Sequence, residues 1–193
     1  MDRAGLLALL DRYQLRSPQE NGNVDRIRSL VLEHARCFDR DCYPGHITAS
    51  AWIVSRESHA VLLTHHRKLG RWLQLGGHTD GQADVLGAAL REAEEESGLA
   101  DFESMPLAAG PEILDVDIHL IPARAGEPAH EHHDIRFLLR VSEAQTIHRQ
   151  KSESKAIRWF PGEGIEALFE EESLARMARK AASWLAREPV GPV

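Results

Sequence analysis

The sequence predicts an α/β protein built around a strand that leads through a glycine loop into a helix. Segments rich in β-branched, aromatic and other apolar residues precede the loop, at residues 46–55, 60–65 and 72–75. Gly76 and Gly77 follow the last of these segments directly. Asp84 is a suitable N-cap and Gly98 a suitable C′ residue, and the residues between them are good helix formers.

Composition limits the classes of protein to consider. The 193 residues can form one sizeable core with a small extension, and the hydrophobic content of 42% is ordinary for a globular protein. Lysine and arginine total 23 against 30 acidic residues, so the formal charge is −7. This acidic balance argues against non-specific binding to nucleic acid or to an anionic membrane.

The cysteine count and the N-terminus favour a cytoplasmic protein. Cys37 and Cys42 are the two cysteines of the chain, and we expect reduced thiols rather than a secreted disulfide framework. No apolar run is long enough to span a bilayer. The short apolar patch near the N-terminus lacks the long h-region and cleavage site of a signal peptide.

Residues 1–45 are predicted to form a helical extension. Leucines at helical spacing indicate a short amphipathic helix over residues 4–14. Ser17 followed by Glu20 resembles a capping box for a second helix, although Asn21-Gly22-Asn23 could instead form a turn. We interpret the extension as a cap on the following domain; the alternatives are a dimerisation arm, giving a homodimer, or a substrate-selecting lid.

The remaining segments complete a predicted domain at residues 46–188. Residues 111–122 alternate as a half-buried strand with a polar face, and residues 135–141 form a strand that is expected to pair with it antiparallel. Residues 152–161 are predicted as a loop and final strand. A long amphipathic helix is predicted over residues 163–187 and a flexible tail over 189–193. The core face of that helix is predicted to contain Ile165, Leu168, Phe169, Leu174, Met177, Ala181, Trp184 and Leu185.

The helix between Asp84 and Gly98 carries a cluster of acidic residues. Glu92, Glu95 and Glu96 fall together beside its apolar stripe, because positions i, i+3 and i+4 are neighbours on a helix. Like charges at this spacing are mutually destabilising, which suggests a cation between them. Oxygen ligands favour Mg²⁺ or Mn²⁺. A solvated acidic surface is the alternative.

This segment resembles the Nudix box, a pattern of G, five residues, E, seven residues and R-E-U-x-E-E-x-G-U, where U is apolar. Gly77 opens the pattern, and residues 91–99, with the sequence REAEEESGL, complete it in register. The resemblance extends loosely over residues 46 to about 185. It implies an α/β/α sandwich with a mixed central sheet and the activity of a Nudix-type pyrophosphohydrolase.

The resemblance also implies roles for individual residues. Glu95 and Glu96 would be the main metal ligands, and Glu92 a further ligand or the group that orients water. Arg91 would brace the helix by pairing with a carboxylate. The carbonyl group of Gly77, or that of Gly76, would add a ligand.

Two positions, 83 and 153, bear on these implied roles. The first glutamate of the box, which in the family pairs with the box arginine, is replaced by Ala83. Asp84 or Asp80 is expected to take its role. Glu153, in the loop before the final strand, is a candidate general base by position, in competition with Glu92.

Histidines are numerous in and after the box: His78, His119, His130, His132 and His133. An H-x-H spacing on a strand places both rings on one face. Three interpretations stay open: a second, transition-metal site, since imidazole suits such ions better than Mg²⁺; a polar strand face; or recognition of substrate. The candidate substrate contacts are His78, His119, His132 and Asp134.

The predicted function is hydrolysis of the diphosphate linkage in a nucleoside diphosphate linked to a group X. Mg²⁺ or Mn²⁺ would serve as cofactor, with water attacking phosphorus. The partner would be a small nucleotide-type molecule, not a nucleic acid or a membrane. One alternative is a non-catalytic Nudix-like domain that binds a nucleotide and regulates a partner. A more remote one is an isoprenoid-diphosphate isomerase on the same fold.

Overall fold

An eight-stranded mixed sheet lies at the centre of the protein, with helices on both faces. The computed structural model describes residues 1–106, 110–124, 126–150, 152 and 154–187. The helices are α1 (Arg3–Arg16), α2 (Asn21–Glu33), α3 (Val85–Ser97) and α4 (Glu172–Leu185). The strands are β1 (Gly45–Ser55), β2 (Val61–His66), β3 (Trp72–Leu73), β4 (Leu75–His78), β5 (Glu103–Ser104), β6 (Ile113–Ile121), β7 (His130–Val141) and β8 (Ser154–Phe160). The predicted α/β/α sandwich is confirmed.

Strand β1 organises the sheet because it is buried along its whole length and has partners on both edges. It pairs in parallel with β7, from Gly45 opposite Glu131 to Ser55 opposite Val141. Its other edge pairs antiparallel with β4 and then with β2. The predicted antiparallel pairing of β6 with β7 is confirmed, but β7 begins at His130, five residues before the expected start.

Alternation along β1 divides the interior into two cores. Ile47 and Ala49 point to the face covered by α1, α2 and α3. Trp52 and Val54 point to the opposite face, which is covered by α4. Burial of both faces explains the almost uninterrupted apolar character of this strand.

The N-terminal helices pack directly on the sheet domain. Leu6, Leu10 and Ile27 are buried in the same core as β1 and α3. The capping-box prediction is wrong: the side chain of Ser17 makes no capping hydrogen bond, and a 3₁₀ turn over Pro18–Glu20 precedes α2. Glu20 instead points inward, where its carboxylate accepts a hydrogen bond from the Tyr13 hydroxyl.

The long C-terminal helix is also predicted incorrectly. Residues Ile165–Leu168 form a separate 3₁₀ turn, and α4 begins only at Glu172. Phe169 is extended and breaks the helical path. As a result Leu168, which was assigned to the core face, is 59% exposed. The predicted tail at residues 189–193 lies outside the described residues.

The expected polar face of β6 is largely internal. Asp115 is fully buried, where it binds Arg136, Arg176 and Lys180. We call the surrounding group the buried ion network: Glu20, Asp115, Asp117, Asp134, Arg136, Arg176 and Lys180. Cations from β7 and α4 therefore neutralise carboxylates that the sequence pattern placed toward solvent.

Cys37 and Cys42 are buried free thiols. None of the helices in the described ranges combines the length and the apolar character needed to cross a bilayer.

Candidate active site and histidine cluster

Helix α3 has the caps that its sequence predicts. The Asp84 carboxylate accepts a hydrogen bond from the Gly87 N–H at 3.1 Å. Gly98 ends the helix in the left-handed region, with φ of 71°. The small residues Ala88, Ala89 and Ala93 are buried against the sheet. The acidic face is thereby held next to residues 76–84, which we call the glycine loop. Its first residues, Gly76 and Gly77, were expected to lie after the strand, but they belong to β4 and pair with Ser50 and Ala49 of β1.

The glycines of this loop allow close contact with two of the box glutamates. The Gly76 N–H donates to the Glu96 carboxylate at 2.9 Å. A Cβ atom placed on Gly77 would lie 2.6 Å from a carboxylate oxygen of Glu92. Glu92 and Glu96 are buried, whereas the Glu95 side chain is 53% exposed. A larger residue at position 77 would displace the Glu92 carboxylate.

Arg91 links the helix to the loop. Its guanidinium donates to Glu92 at 2.8 Å, to Glu95 at 3.4 Å and to the backbone carbonyl of His78 at 2.8 Å. Burial alone would lower the pKa of Arg91, but Glu92 and Glu95 raise it above its usual value. The side chain therefore stays charged and holds the loop against α3.

Neither aspartate takes the role of the glutamate replaced by Ala83. Asp84 caps α3 and pairs with the N-terminal amino group at 3.1 Å. Asp80 pairs with Arg40 at 2.7 Å. The contact of Arg91 with the loop is made to a backbone carbonyl instead, so the missing carboxylate is compensated by the main chain.

The chemistry of this site fits a hard divalent cation. Three carboxylates and the adjacent loop carbonyls are the oxygen donors that Mg²⁺ and Mn²⁺ prefer. Arg91 contacts two of these carboxylates, those of Glu92 and Glu95. Glu153, the predicted general base, lies outside the described residues.

A histidine cluster forms on the opposite face of the sheet. Its members are His46, His78, His119, His130 and His132. Register explains the assembly: His132 lies opposite His46 of β1 and opposite His119 of β6. The ring centroids of His46 lie 4.7 Å from His132 and 5.0 Å from His130. The predicted single face for His130 and His132 is confirmed, whereas His133 alternates to the other face.

Three of these side chains converge more closely than the others. The ligand atoms of His46, His130 and His132 all lie within 4.8 Å of one another. Within the described ranges, no other group of three or more histidine, cysteine or acidic side chains brings its ligand atoms this close together. Burial, together with the nearby ring of His78, lowers the pKa of His46 to about 4. Burial, together with the nearby ring of His46, lowers the pKa of His132 to about 2. Both rings are neutral at pH 7.

Asp134, a predicted substrate contact, is enclosed by the protein's own side chains. Its carboxylate is buried and accepts hydrogen bonds from Thr48 at 3.0 Å and Ser50 at 2.8 Å, and from Arg136 at 2.8 Å. These contacts make it part of the buried ion network rather than an open ligand group.

His119 is the most exposed of the predicted substrate contacts in the histidine cluster. Solvent reaches 46% of its side chain.

Sequence reasoning missed His46. It is the second residue of β1, where it was read as part of a strand and not as a chemical group. Its partner residues follow in the chain only after residue 77, and no local pattern connects them. The parallel pairing of β1 with β7 would have been the signal, and that pairing is not visible in the sequence.

A model of the NUDIX domain matches residues 44–185, about three quarters of the chain. The chain belongs to the Nudix family. The prediction of a Nudix-type pyrophosphohydrolase is confirmed at the level of the enzyme family. A search of curated protein sequences gave no significant match.

Solved structures of Nudix proteins share the fold. The C. elegans Ap4A hydrolase in a binary complex aligns with a TM-score of 0.57 and 16% identity, over 72% of this chain and 97% of the other. A NUDIX family hydrolase from Clostridium perfringens aligns at 0.54 and 28%, with coverage of 72% and 97%. The NUDIX domain of Shewanella oneidensis NrtR complexed with ADP ribose aligns at 0.53 and 16%, covering 72% and 87%.

Proposed function

We propose that this Nudix protein hydrolyses the diphosphate linkage of a nucleoside diphosphate linked to a group X. The supporting observation is the contact between the box helix and the glycine loop. Glu96 accepts the Gly76 N–H, Glu92 lies against Gly77, and the two carboxylates are thereby fixed at the loop. Solved structures of the same fold include an Ap4A hydrolase and a NUDIX domain complexed with ADP ribose, which supports a small nucleotide-type substrate.

The proposed division of labour follows from position. Glu92, Glu95 and Glu96, with the carbonyl of Gly77, would hold Mg²⁺ or Mn²⁺. When bound, the ion supplies charge neutralisation on the bridging and leaving oxygens and makes a water nucleophilic at neutral pH.

The other residues position these groups. Arg91 orients Glu92 and Glu95 and ties them to the loop through the His78 carbonyl. Glu92 is the proposed base for the attacking water, and Glu153 is its competitor for that role. The assignment of His119 as a substrate contact stays a prediction: its side chain is exposed, but it belongs to the histidine cluster on the other face of the sheet. The proposed compartment is the cytoplasm.

A nucleotide panel tests the proposal. The panel contains ADP-ribose, dinucleoside polyphosphates, oxidised nucleotides and NDP-sugars, each assayed with Mg²⁺ and with Mn²⁺. We expect Glu95→Gln and Glu96→Gln each to lower turnover by about 10²-fold, by analogy with the loss of one transition-state stabiliser. In ¹⁸O-labelled water the label should enter a phosphate product, because water attacks phosphorus.

A matched control is available on the same helix. Glu94 is exposed and lies between the proposed ligands in sequence, so Glu94→Gln should retain wild-type turnover. Equal activity in all four proteins would refute the assigned roles. Tight binding of a nucleotide without turnover of any panel member would instead favour a regulatory binding domain.

A further inference from the structure

The histidine cluster contains buried nitrogen atoms for which the protein provides no good hydrogen-bond geometry. His46 is 1% exposed, and neither of its ring nitrogens makes a hydrogen bond of acceptable geometry among the described residues, although the Cys42 backbone lies near the ring. His130 is 2% exposed, and its Nε2 atom likewise lacks one. Burying a polar atom without a partner costs free energy. Two adjacent histidines in this state therefore point to a ligand that the protein itself does not supply.

The tautomer of His130 is set for metal binding. Its Nδ1 atom lies 2.9 Å from the carbonyl oxygen of Pro128, so Nδ1 carries the proton and donates it to that carbonyl. The lone pair is then on Nε2, the unpartnered atom. Metal-bound histidines commonly donate their second ring N–H to a backbone carbonyl or carboxylate, which fixes the ring and its tautomer.

The donor atoms are close enough to enclose one ion. Nitrogen ligands about 2.1 Å from a tetrahedral zinc ion are about 3.4 Å apart. The ligand atoms of His46, His130 and His132 already lie within 4.8 Å of one another. The largest of these separations therefore exceeds the ligand spacing by at most about 1.4 Å.

We propose that His46, His130 and His132 form a binding site for a first-row transition-metal ion, with Zn²⁺ as the best-fitting ion. Three imidazole nitrogens suit Zn²⁺ and not Mg²⁺. His78, whose ring centroid lies 5.1 Å from His132, and Glu127, whose carboxylate lies 3.7 Å from His130 Nε2, border the fourth position.

This site is separate from the acidic site on α3. Successive residues of a strand point to opposite faces of a sheet. Gly77 faces Glu92 of α3, whereas the ring of the next residue, His78, joins the histidine cluster. The zinc proposal therefore does not depend on the proposed hydrolase activity.

Zinc binding by the full chain tests the proposal. Chelator-treated protein is titrated with Zn²⁺ by calorimetry, in millimolar Mg²⁺ to occupy the acidic site. We expect one Zn²⁺ per chain, and at least about tenfold weaker binding in His130→Gln and in His132→Gln. His59→Gln, a change of the same kind at an exposed histidine, and Glu96→Gln should bind as the wild type does.

A second measurement uses wild-type protein alone, in case the variants do not fold. Side-chain ¹⁵N resonances of three histidines should move to the metal-bound range on addition of Zn²⁺, while that of His59 stays in place. Co²⁺ should give visible absorption bands that Zn²⁺ abolishes. Absence of stoichiometric binding, or binding that Glu96→Gln removes and His130→Gln does not, overturns the proposal.

Discussion

Two carboxylate-rich regions of this protein serve opposite purposes. On α3 the carboxylates come from one helix within two turns, and Glu95 is open to solvent. In the buried ion network the charges come from several elements, and Asp115 is fully enclosed by Arg136, Arg176 and Lys180. The first arrangement leaves a carboxylate open to solvent, whereas in the second the protein's own cations surround the carboxylates.

The difference shows why a count of acidic residues does not identify a site. Burial alone would raise the pKa of Asp115, but Arg176, Arg136 and Lys180 hold it below its usual value. That carboxylate is thus a structural part of the fold. The carboxylates of α3 are contacted by the backbone of the glycine loop and by Arg91, and Glu95 is left accessible.

The largest expected effect is on the free energy of unfolding, which should differ between a variant of the buried ion network and a variant of α3. Asp115→Asn leaves the buried Arg136 and the half-buried Arg176 and Lys180 with one fewer counter-charge, and we expect a loss of about 3–5 kcal/mol in the free energy of unfolding. Glu95→Gln, at an exposed position, should change it by less than about 0.5 kcal/mol while abolishing most turnover. Urea unfolding followed by circular dichroism measures both. Equal stability losses in the two variants would mean that the regions do not differ in this way.

The next contrast lies within the glycine loop. Gly76 has φ of 153°, and a Cβ atom there would meet the backbone of Ala49 and Ser50 at 2.6 Å. We expect Gly76→Ala to cost about 1–3 kcal/mol in unfolding free energy. Gly77→Ala meets only the flexible end of Glu92, so it should cost less than about 1 kcal/mol yet lower turnover by about tenfold or more. Normal turnover in folded Gly77→Ala would contradict the role given to Glu92.

A smaller effect is expected for the arginine that joins helix and loop. Arg91→Lys retains the charge but loses the planar fork that reaches Glu92 and the His78 carbonyl. Turnover should fall about tenfold, with a change in unfolding free energy below about 1 kcal/mol. Arg40→Lys, at the exposed pair with Asp80, is the control and should leave turnover unchanged. Equal turnover in Arg91→Lys and Arg40→Lys would contradict the proposed role of Arg91 in bracing helix and loop.

The smallest effect concerns pH and the buried network. Burial, together with Asp115 and Glu20, raises the pKa of Tyr13 far above its usual value. Above pH 10 the unfolded chain loses this proton while the folded protein keeps it, so stability falls as pH rises, by at most about 1.4 kcal/mol per pH unit from this group. Tyr13→Phe should show a shallower decline between pH 10 and 11. The same slope in both proteins would count against a protonated Tyr13 in the folded state.

Much of the fold could be predicted because its signals are local. The strands before the box, the caps of α3 and the Nudix register all lie in continuous segments. Errors arose where distant residues compete with local patterns. Ser17 and Glu20 have capping-box spacing, but Glu20 is recruited by Tyr13 and Lys180. Residues 163–187 have helical periodicity, but Phe169 packs near Trp52 at a ring distance of 5.9 Å and takes an extended conformation.

The sequence by itself determined the chemistry of α3, because a helix converts spacing along the chain directly into neighbouring carboxylates. The tertiary structure alone decided which other polar residues lie together. Asp115 meets Arg176 across 61 positions of sequence, and His46 meets His130 and His132 through a parallel strand pair. Such contacts depend on how strands are ordered in the sheet, and no local spacing encodes that order.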